Sequence, residues 1–242
     1  VWWPPEHQPE PHEDVTIDVI IPALNEEKSI GKVLSAISSA WVRRVIVVDN
    51  GSTDQTAIIA RGEGAEVIFE PQKGYGAACL AGLRHMSDDP PHIVTFLDAD
   101  FSDRPEELPR LIEPIVEDGV DLVIGSRTIG QMEPGALLPQ AVFGNKLACF
   151  LVELLYGYRF TDLGPFRAIR WSSLGALEMA DEDFGWTVEM QVKAAQMHLS
   201  AVEVPVSYRR RIGVSKITGT VKGTVLAGHK ILYTIFKEYL TR

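Results

Sequence analysis

The chain has 242 residues, 45% of them hydrophobic and 23% charged, an ordinary globular composition with enough apolar material for one large core and too much for disorder. Its 23 Lys and Arg face 33 Asp and Glu, a net charge of −10, so the whole-molecule field repels polyanions and disfavours a general nucleic-acid binder. Cys79 and Cys149, the two cysteines, lie far apart with no C-x-x-C spacing, which sets aside a disulfide scaffold and a zinc site and fits a reducing, cytoplasmic setting.

Val1 to His12 is proline-rich and acidic. It lacks the basic start and apolar run of a signal peptide, and residues 1–14 are expected to form a disordered or extended arm. No run approaches the roughly 18 uncharged apolar residues of a membrane span. From Val15 short β-branched runs alternate with longer amphipathic stretches, the punctuation of βαβ units. Strands are predicted at Ile17 to Ile21, Val45 to Val48, Glu66 to Phe69, Ile93 to Leu97 and Leu122 to Ile124. Their continuous apolar character predicts a mostly parallel central sheet covered on both faces by helices. Asn25 with Glu26 and Glu27 is expected to open the first helix, Ser52-Thr53-Asp54-Gln55 to form a capping box for the second, and Asp103 to cap a turn running into Glu106. Beyond Gly125 the rhythm changes to a long helix from Leu137 to Tyr156, a turn at Gly164-Pro165, a helix through Met190, a strand near Val202 to Tyr208 and a terminal helix.

In open α/β sheets ligands bind outside the carboxyl ends of the strands, and here those ends are polar. The runs finish in Pro22-Ala23-Leu24-Asn25-Glu26, Asp49-Asn50-Gly51-Ser52-Thr53-Asp54, Glu70-Pro71-Gln72-Lys73-Gly74 and Asp98-Ala99-Asp100. Residues two apart on an extended segment project to the same side. Both carboxylates of Asp98 and Asp100 are therefore placed to approach one hard cation, which takes oxygen ligands and commonly bridges substrate phosphates. A solvated turn is the plainer explanation of an isolated Asp-x-Asp; the position at the end of a buried strand favours the cation.

Taken together, Val19 to Glu26, Val47 to Asp54, Lys73-Gly74-Tyr75-Gly76, Phe96 to Asp100 and Gly125-Ser126-Arg127 resemble, in order and spacing, the family 2 glycosyltransferases. The likeness is to the branch that holds dolichol-phosphate mannosyltransferase and related polyprenyl-phosphate sugar transferases. It implies a Rossmann-like GT-A fold over residues 15–216, with a nucleotide-sugar half at 15–125 and an acceptor half at 126–216, followed by a C-terminal amphipathic helix at 217–242. It also implies a nucleoside-diphosphate sugar donor, Mg²⁺ or Mn²⁺, and a place in cell-envelope glycan biosynthesis. By the same resemblance Pro22, Ala23 and Glu26 would line base and ribose, and Asp49 would accept a hydrogen bond from the base. Gly51, Lys73, Gly74 and Ala99 would lie along the donor, Asp98 would face ribose and metal, and Asp100 would ligate the metal directly and serve catalysis. Asn50 stands where the family often has a second Asp, Ser102 where the branch often has Gln near the metal, and Leu24 where an aromatic is common.

The later half resembles the acceptor side of that branch. Arg209-Arg210-Arg211-Ile212-Gly213-Val214-Ser215-Lys216 is similar to its phosphate-clamping segment, so Arg127, Arg209, Arg211, Ser215 and Lys216 are the expected phosphate and acceptor contacts; guanidinium suits bidentate phosphate recognition. Asp162 lies in an acceptor-side turn and Glu189 on a helix that often carries a catalytic carboxylate. A polyprenyl phosphate acceptor would need charge clamping more than a base. A sugar or glycerol hydroxyl would need Glu189 or Asp162. Two rivals remain. Gly74-Tyr75-Gly76-Ala77-Ala78-Cys79 is a dinucleotide fingerprint with its third glycine replaced, so an NAD-dependent enzyme is a distant alternative; an inactive nucleotide-sugar-binding subunit is another. Val221, Val225, Leu232, Ile235, Phe236 and Tyr239 recur at helical spacing with basic flanks. That pattern suits a helix packed on the core or one lying on the inner face of the membrane.

Overall fold

The computed structural model describes residues 14–213 and 221–241. One seven-stranded sheet in the order β3-β2-β1-β4-β6-β5-β7 organises the molecule. It is built from β1 (Ile17–Ala23), β2 (Arg44–Asp49), β3 (Glu66–Phe69), β4 (Ile93–Phe96), β5 (Leu122–Met132), β6 (Arg167–Arg170) and β7 (Ala201–Tyr208). The helices are α1 (Ile30–Ala36), α2 (Thr56–Gly62), α3 (Tyr75–Met86), α4 (Leu108–Glu117), α5 (Pro139–Tyr156), α6 (Trp171–Ala176), α7 (Trp186–Gln196) and α8 (Val221–Leu240). Strands β1 to β4, and β5 with β7, pair in parallel; β6 runs antiparallel between β4 and β5.

Side chains on a strand alternate between faces, and both faces are dry. Ile20, Ile46, Val48, Val94, Phe96, Leu122 and Ile124 join one core cluster, whereas Val19, Ile21, Val47, Ile93, Leu97 and Val123 join the other. Hence the strands carry unbroken apolar runs. Helix α3 seats directly on β1 because Gly82 has no side chain; a Cβ there would meet Ile20 Cγ2 at 3.0 Å. Strand β6 escapes periodicity analysis: its four residues begin and end in arginine, and the fully buried Arg167 is satisfied by the carbonyls of Gly164 and Thr187.

All three expected helix caps are corrected. Asn25 lies five residues before the start of α1, in left-handed backbone (φ 53°). It receives Thr53 N–H on its side chain (2.7 Å) and donates its own N–H to Ser52 Oγ (2.9 Å), lacing the loops after β1 and β2 together. Ser52 is thereby engaged elsewhere, and Asp54 takes the Thr56 N–H at the start of α2 (3.0 Å). Asp103 caps no helix: it is buried at 1% exposure and bridged through its backbone to Tyr208.

The terminal helix α8 packs on α5 and α7, with Ile235 fully buried and the Tyr156 hydroxyl donating to the Ile235 carbonyl. Val225, Phe236 and Tyr239 of the expected stripe are exposed instead. Helix α5 also shows large apolar residues to solvent, Phe143 at 69%, Phe150 at 57% and Leu154 at 65% exposure, along one face. Among the described residues no helix is long and apolar enough to cross a membrane.

Candidate active site

The carboxyl ends of β1, β2 and β4 and the N-terminus of α3 open onto a cavity of about 410 Å³. Of the residues proposed from sequence, Pro22, Ala23, Glu26, Lys73, Gly74, Asp98, Ala99, Asp100 and Arg211 line it. Leu24, Asn50, Tyr75, Ala78, Asp183 and Phe184 complete the wall. Asp183 and Phe184 went unpredicted because they sit in an aperiodic loop ahead of α7; the acid-rich run Asp181-Glu182-Asp183 was the available signal.

Backbone architecture shapes the side of the cavity next to β2. Asp49 Oδ1 accepts the Ser52 N–H (2.8 Å), closing the turn after β2 around Gly51, whose φ of 86° favours glycine. Lys73 Nζ lies over that turn, donating to the carbonyls of Asn50 (2.9 Å) and Gly51 (3.2 Å). Buried Asn50 donates to the Glu70 (3.0 Å) and Gln72 (2.6 Å) carbonyls and accepts the Gly74 N–H (2.9 Å). The departure at this position is thus a latch that only an amide can close. Gly74 is required outright: its φ is 146°, and a Cβ would run into the Glu182 carbonyl oxygen.

The acidic end of β4 faces the same cavity. Asp100 Oδ1 receives the backbone N–H (2.8 Å) and hydroxyl (2.5 Å) of Ser102, while Oδ2 faces Arg211 Nη1 at 3.3 Å. Arg211 Nη2 also donates to Glu26 Oε1 (3.0 Å). Burial, and next the charge of Asp100, push the Asp98 carboxyl up to about 7. Asp103 behind them is driven well above the carboxylate range by burial and then by Asp98 and Asp100. The Tyr75 hydroxyl is buried in the wall beside the Asp98 carboxyl. Two carboxylates on one wall offer the hard oxygen donors that fit a divalent cation bound with a diphosphate. Among the described residues no cluster of three or more acids, histidines or cysteines is arranged to hold a metal, so remaining ligands would come from phosphate and water.

The other predicted residues do not converge. Asp162 is bound bidentately by Arg127 (2.7 and 2.6 Å) and also accepts its N–H (2.8 Å), with the guanidinium over the Tyr208 ring. Burial works against the Arg127 charge, yet Asp162 holds its pKa well above the ordinary arginine value. Glu189 is 1% exposed; it accepts the N–H groups of Ala180 (3.0 Å) and Asp181 (2.8 Å) and pairs with Lys193 (2.9 Å). It anchors the loop that carries Asp183. The three arginines fan apart: Arg209 stacks on Phe101 and donates to its carbonyl, Arg210 binds the Pro134 carbonyl, and Arg211 enters the cavity. Ser215 and Lys216 lie outside the described residues.

A mostly parallel sheet whose acidic strand ends meet one open cavity is the layout of a GT-A glycosyltransferase. The chain belongs to glycosyl transferase family 2, whose model matches residues 18–170. It is 36% identical to an uncharacterized glycosyltransferase of Mycobacterium tuberculosis over 87% of this chain and 94% of that one. It is 33% identical to a dolichyl-phosphate hexose transferase of Haloferax volcanii (92% and 95% covered) and 32% identical to an undecaprenyl-phosphate mannosyltransferase of Micrococcus luteus (84% and 88%). These relatives place it in the polyprenyl-phosphate sugar transferase branch. In fold it is similar to glucosyl-3-phosphoglycerate synthase of M. tuberculosis crystallised with Mn²⁺, UDP and phosphoglyceric acid (TM-score 0.76, 23% identity, 97% of this chain and 84% of that one covered).

Proposed function

We propose that this glycosyltransferase moves a hexose from a nucleoside-diphosphate sugar to a polyprenyl phosphate, with inversion. One observation carries the choice of acceptor: Asp162 and Glu189, the two carboxylates expected to act as base, are consumed by Arg127 and by the backbone of the loop before α7. A phosphate monoester is anionic near neutral pH and supplies its own nucleophilic oxygen. That oxygen attacks the anomeric carbon in line as the bond to the diphosphate breaks, and no proton has to be removed.

In this reading residues 15–125 serve the donor and residues 126–216 the acceptor. Pro22, Ala23, Glu26, Asp49 and Gly51 form the base and ribose end, and Lys73 and Gly74 lie along the diphosphate. Asp98 and Asp100 would hold Mg²⁺ or Mn²⁺, which when bound neutralises the departing diphosphate. Arg211, with Ser215 and Lys216 further along the same segment, provides phosphate contacts. The exposed apolar faces of α5 and α8 suit peripheral contact of a cytoplasmic enzyme with the membrane that holds such an acceptor.

A second reading, transfer to a hydroxyl, draws support from Asp183. It lines the cavity, and its pKa is raised by burial and then by Asp181, as suits a general base. Asp183→Asn decides between them. Turnover of a polyprenyl phosphate acceptor within a few-fold of wild type is expected. A loss of about 10²–10⁴, the usual contribution of a general base, with nucleotide affinity intact, would overturn the phosphate reading.

A further inference from the structure

We infer that Arg211 is an internal stand-in for the metal cation, holding the acidic end of the site closed until the donor complex displaces it and turns it into a phosphate ligand. The inference rests on the cation reading of Asp98 and Asp100 and adds a role for the residue facing them.

Arg211 bridges two buried carboxylates from different strand ends, Asp100 (3.3 Å) and Glu26 (3.0 Å), which are 6% and 7% exposed. Leaving the Asp100 Oδ2 charge without a counter-charge would be costly, because buried charge needs a partner. Asp100 Oδ1 is already saturated by Ser102, so the guanidinium covers the oxygen of Asp100 left for a metal. A divalent cation and a guanidinium cannot share that oxygen without strong like-charge repulsion.

The surrounding backbone lets the side chain move while its base stays fixed. Ile212 N–H is pinned to the Asp100 carbonyl (2.9 Å), so the segment stays against the loop after β4, and the long side chain has the rotatable bonds to swing within the cavity it lines. Among the described residues the buried Arg211 Nε–H has no hydrogen-bond partner. A buried, unpaired donor on a cavity-lining guanidinium is a group prepared for a second acceptor, and a phosphate oxygen suits it. Exchange imposes an order: Arg211 becomes available to phosphate only after Asp100 has been taken over. The acceptor-side clamp is then assembled by donor binding instead of standing preformed.

The test measures binding on the full chain. Mn²⁺ alone, followed by the free-ion electron paramagnetic resonance signal, should bind Arg211→Met about two- to fivefold more tightly than wild type, the scale of losing one partly exposed competing ion pair. The same variant should bind UDP or GDP with Mn²⁺ more weakly, since the diphosphate loses a donor. Arg211→Lys, which keeps the charge and loses the fork, should fall between them in Mn²⁺ affinity, and thermal unfolding by circular dichroism confirms that each variant is folded. On wild type itself, the Arg211 Nε–H resonance, assigned by its absence in Arg211→Lys, should shift when Mg²⁺ and nucleotide are added together. Mn²⁺ affinity unchanged or weakened in Arg211→Met, or an unmoved resonance, overturns the inference while the metal reading stands. A wild-type chain that binds neither Mn²⁺ nor nucleotide overturns both.

Discussion

Replacing Asn50 by Asp changes one NH₂ group to oxygen with no change in size, and so isolates the latch between β2 and the Lys73-Gly74 loop. The native amide makes two donations, to Glu70 O and Gln72 O, and one acceptance, from Gly74 N. A carboxylate keeps only the acceptance and sets its negative oxygen against two carbonyls. Each net hydrogen bond is worth about 1 kcal/mol and each buried group left unpaired costs about 1–3 kcal/mol. Allowing for relaxation, the variant should lose about 3 kcal/mol, or roughly 6–12 °C in Tm at 2–4 °C per kcal/mol for a chain of this size. The deficit should depend on pH with a definite sign. Burial among carbonyls raises the folded-state pKa of the new carboxyl. It is therefore protonated in the fold at pH values where it is ionised when unfolded, and a protonated acid regains one donor. The deficit should be full above the folded-state pKa and shrink on acidification. Thermal unfolding of wild type and variant across the acid to neutral range measures it. Equal stability at neutral pH, or a deficit that does not move with pH, would refute the latch.

Two further outcomes follow from the site and the surface. Asp98, raised to about 7, binds its proton in the fold where the unfolded carboxyl has lost it. Stability of the ligand-free chain should therefore fall between about pH 4 and 7, and Asp98→Asn should flatten that slope; the same slope in both proteins would remove Asp98 as its source. Phe143→Asp with Phe150→Asp on the exposed face of α5 should cut sedimentation with phosphatidylglycerol vesicles by about tenfold or more, at roughly 1.5 kcal/mol or above for each Phe buried. Undiminished vesicle binding would exclude α5 as the lipid-facing element.

Much of the architecture was legible because it rests on local rules. Continuous apolar strands such as Val45 to Val48 announce a two-faced sheet, and acidic or glycine-rich strand ends announce where ligands go. The expected residues that line the cavity, Pro22, Glu26, Lys73, Asp98 and Asp100 among them, lie within five positions after the end of a predictable strand. What escaped depends on partners distant in sequence. Asp162 and Glu189 look like free acids until Arg127 and the amides of Ala180 and Asp181 are brought to them. Asn25 and Ser52 look like caps until the two loops that carry them meet. Asp183 belongs to no periodic element and reaches the cavity because Glu189 fastens its loop and Ala77 N–H docks on the Glu182 carbonyl (2.8 Å). The triple arginine has the composition of a single clamp, but alternation along extended chain sends neighbouring side chains to different neighbours.

Strand β6 lies antiparallel between β4 and β5, and its place in the chain has a consequence for synthesis. Residues 15–125 contain β1 to β4 and the start of β5, yet within that stretch β4 has a neighbour on one side only. Ile93 to Phe96 would present open hydrogen-bonding groups flanked by buried apolar side chains, a template for pairing with other chains. The edge is sealed when Arg167 to Arg170 arrives, so emerging chain must hold β4 unpaired through the making of α5. The sheet around Asp98 and Asp100 is thus completed by the later half of the chain, and of β1, β2 and β4 the strand that leads into those two aspartates is the last to be enclosed.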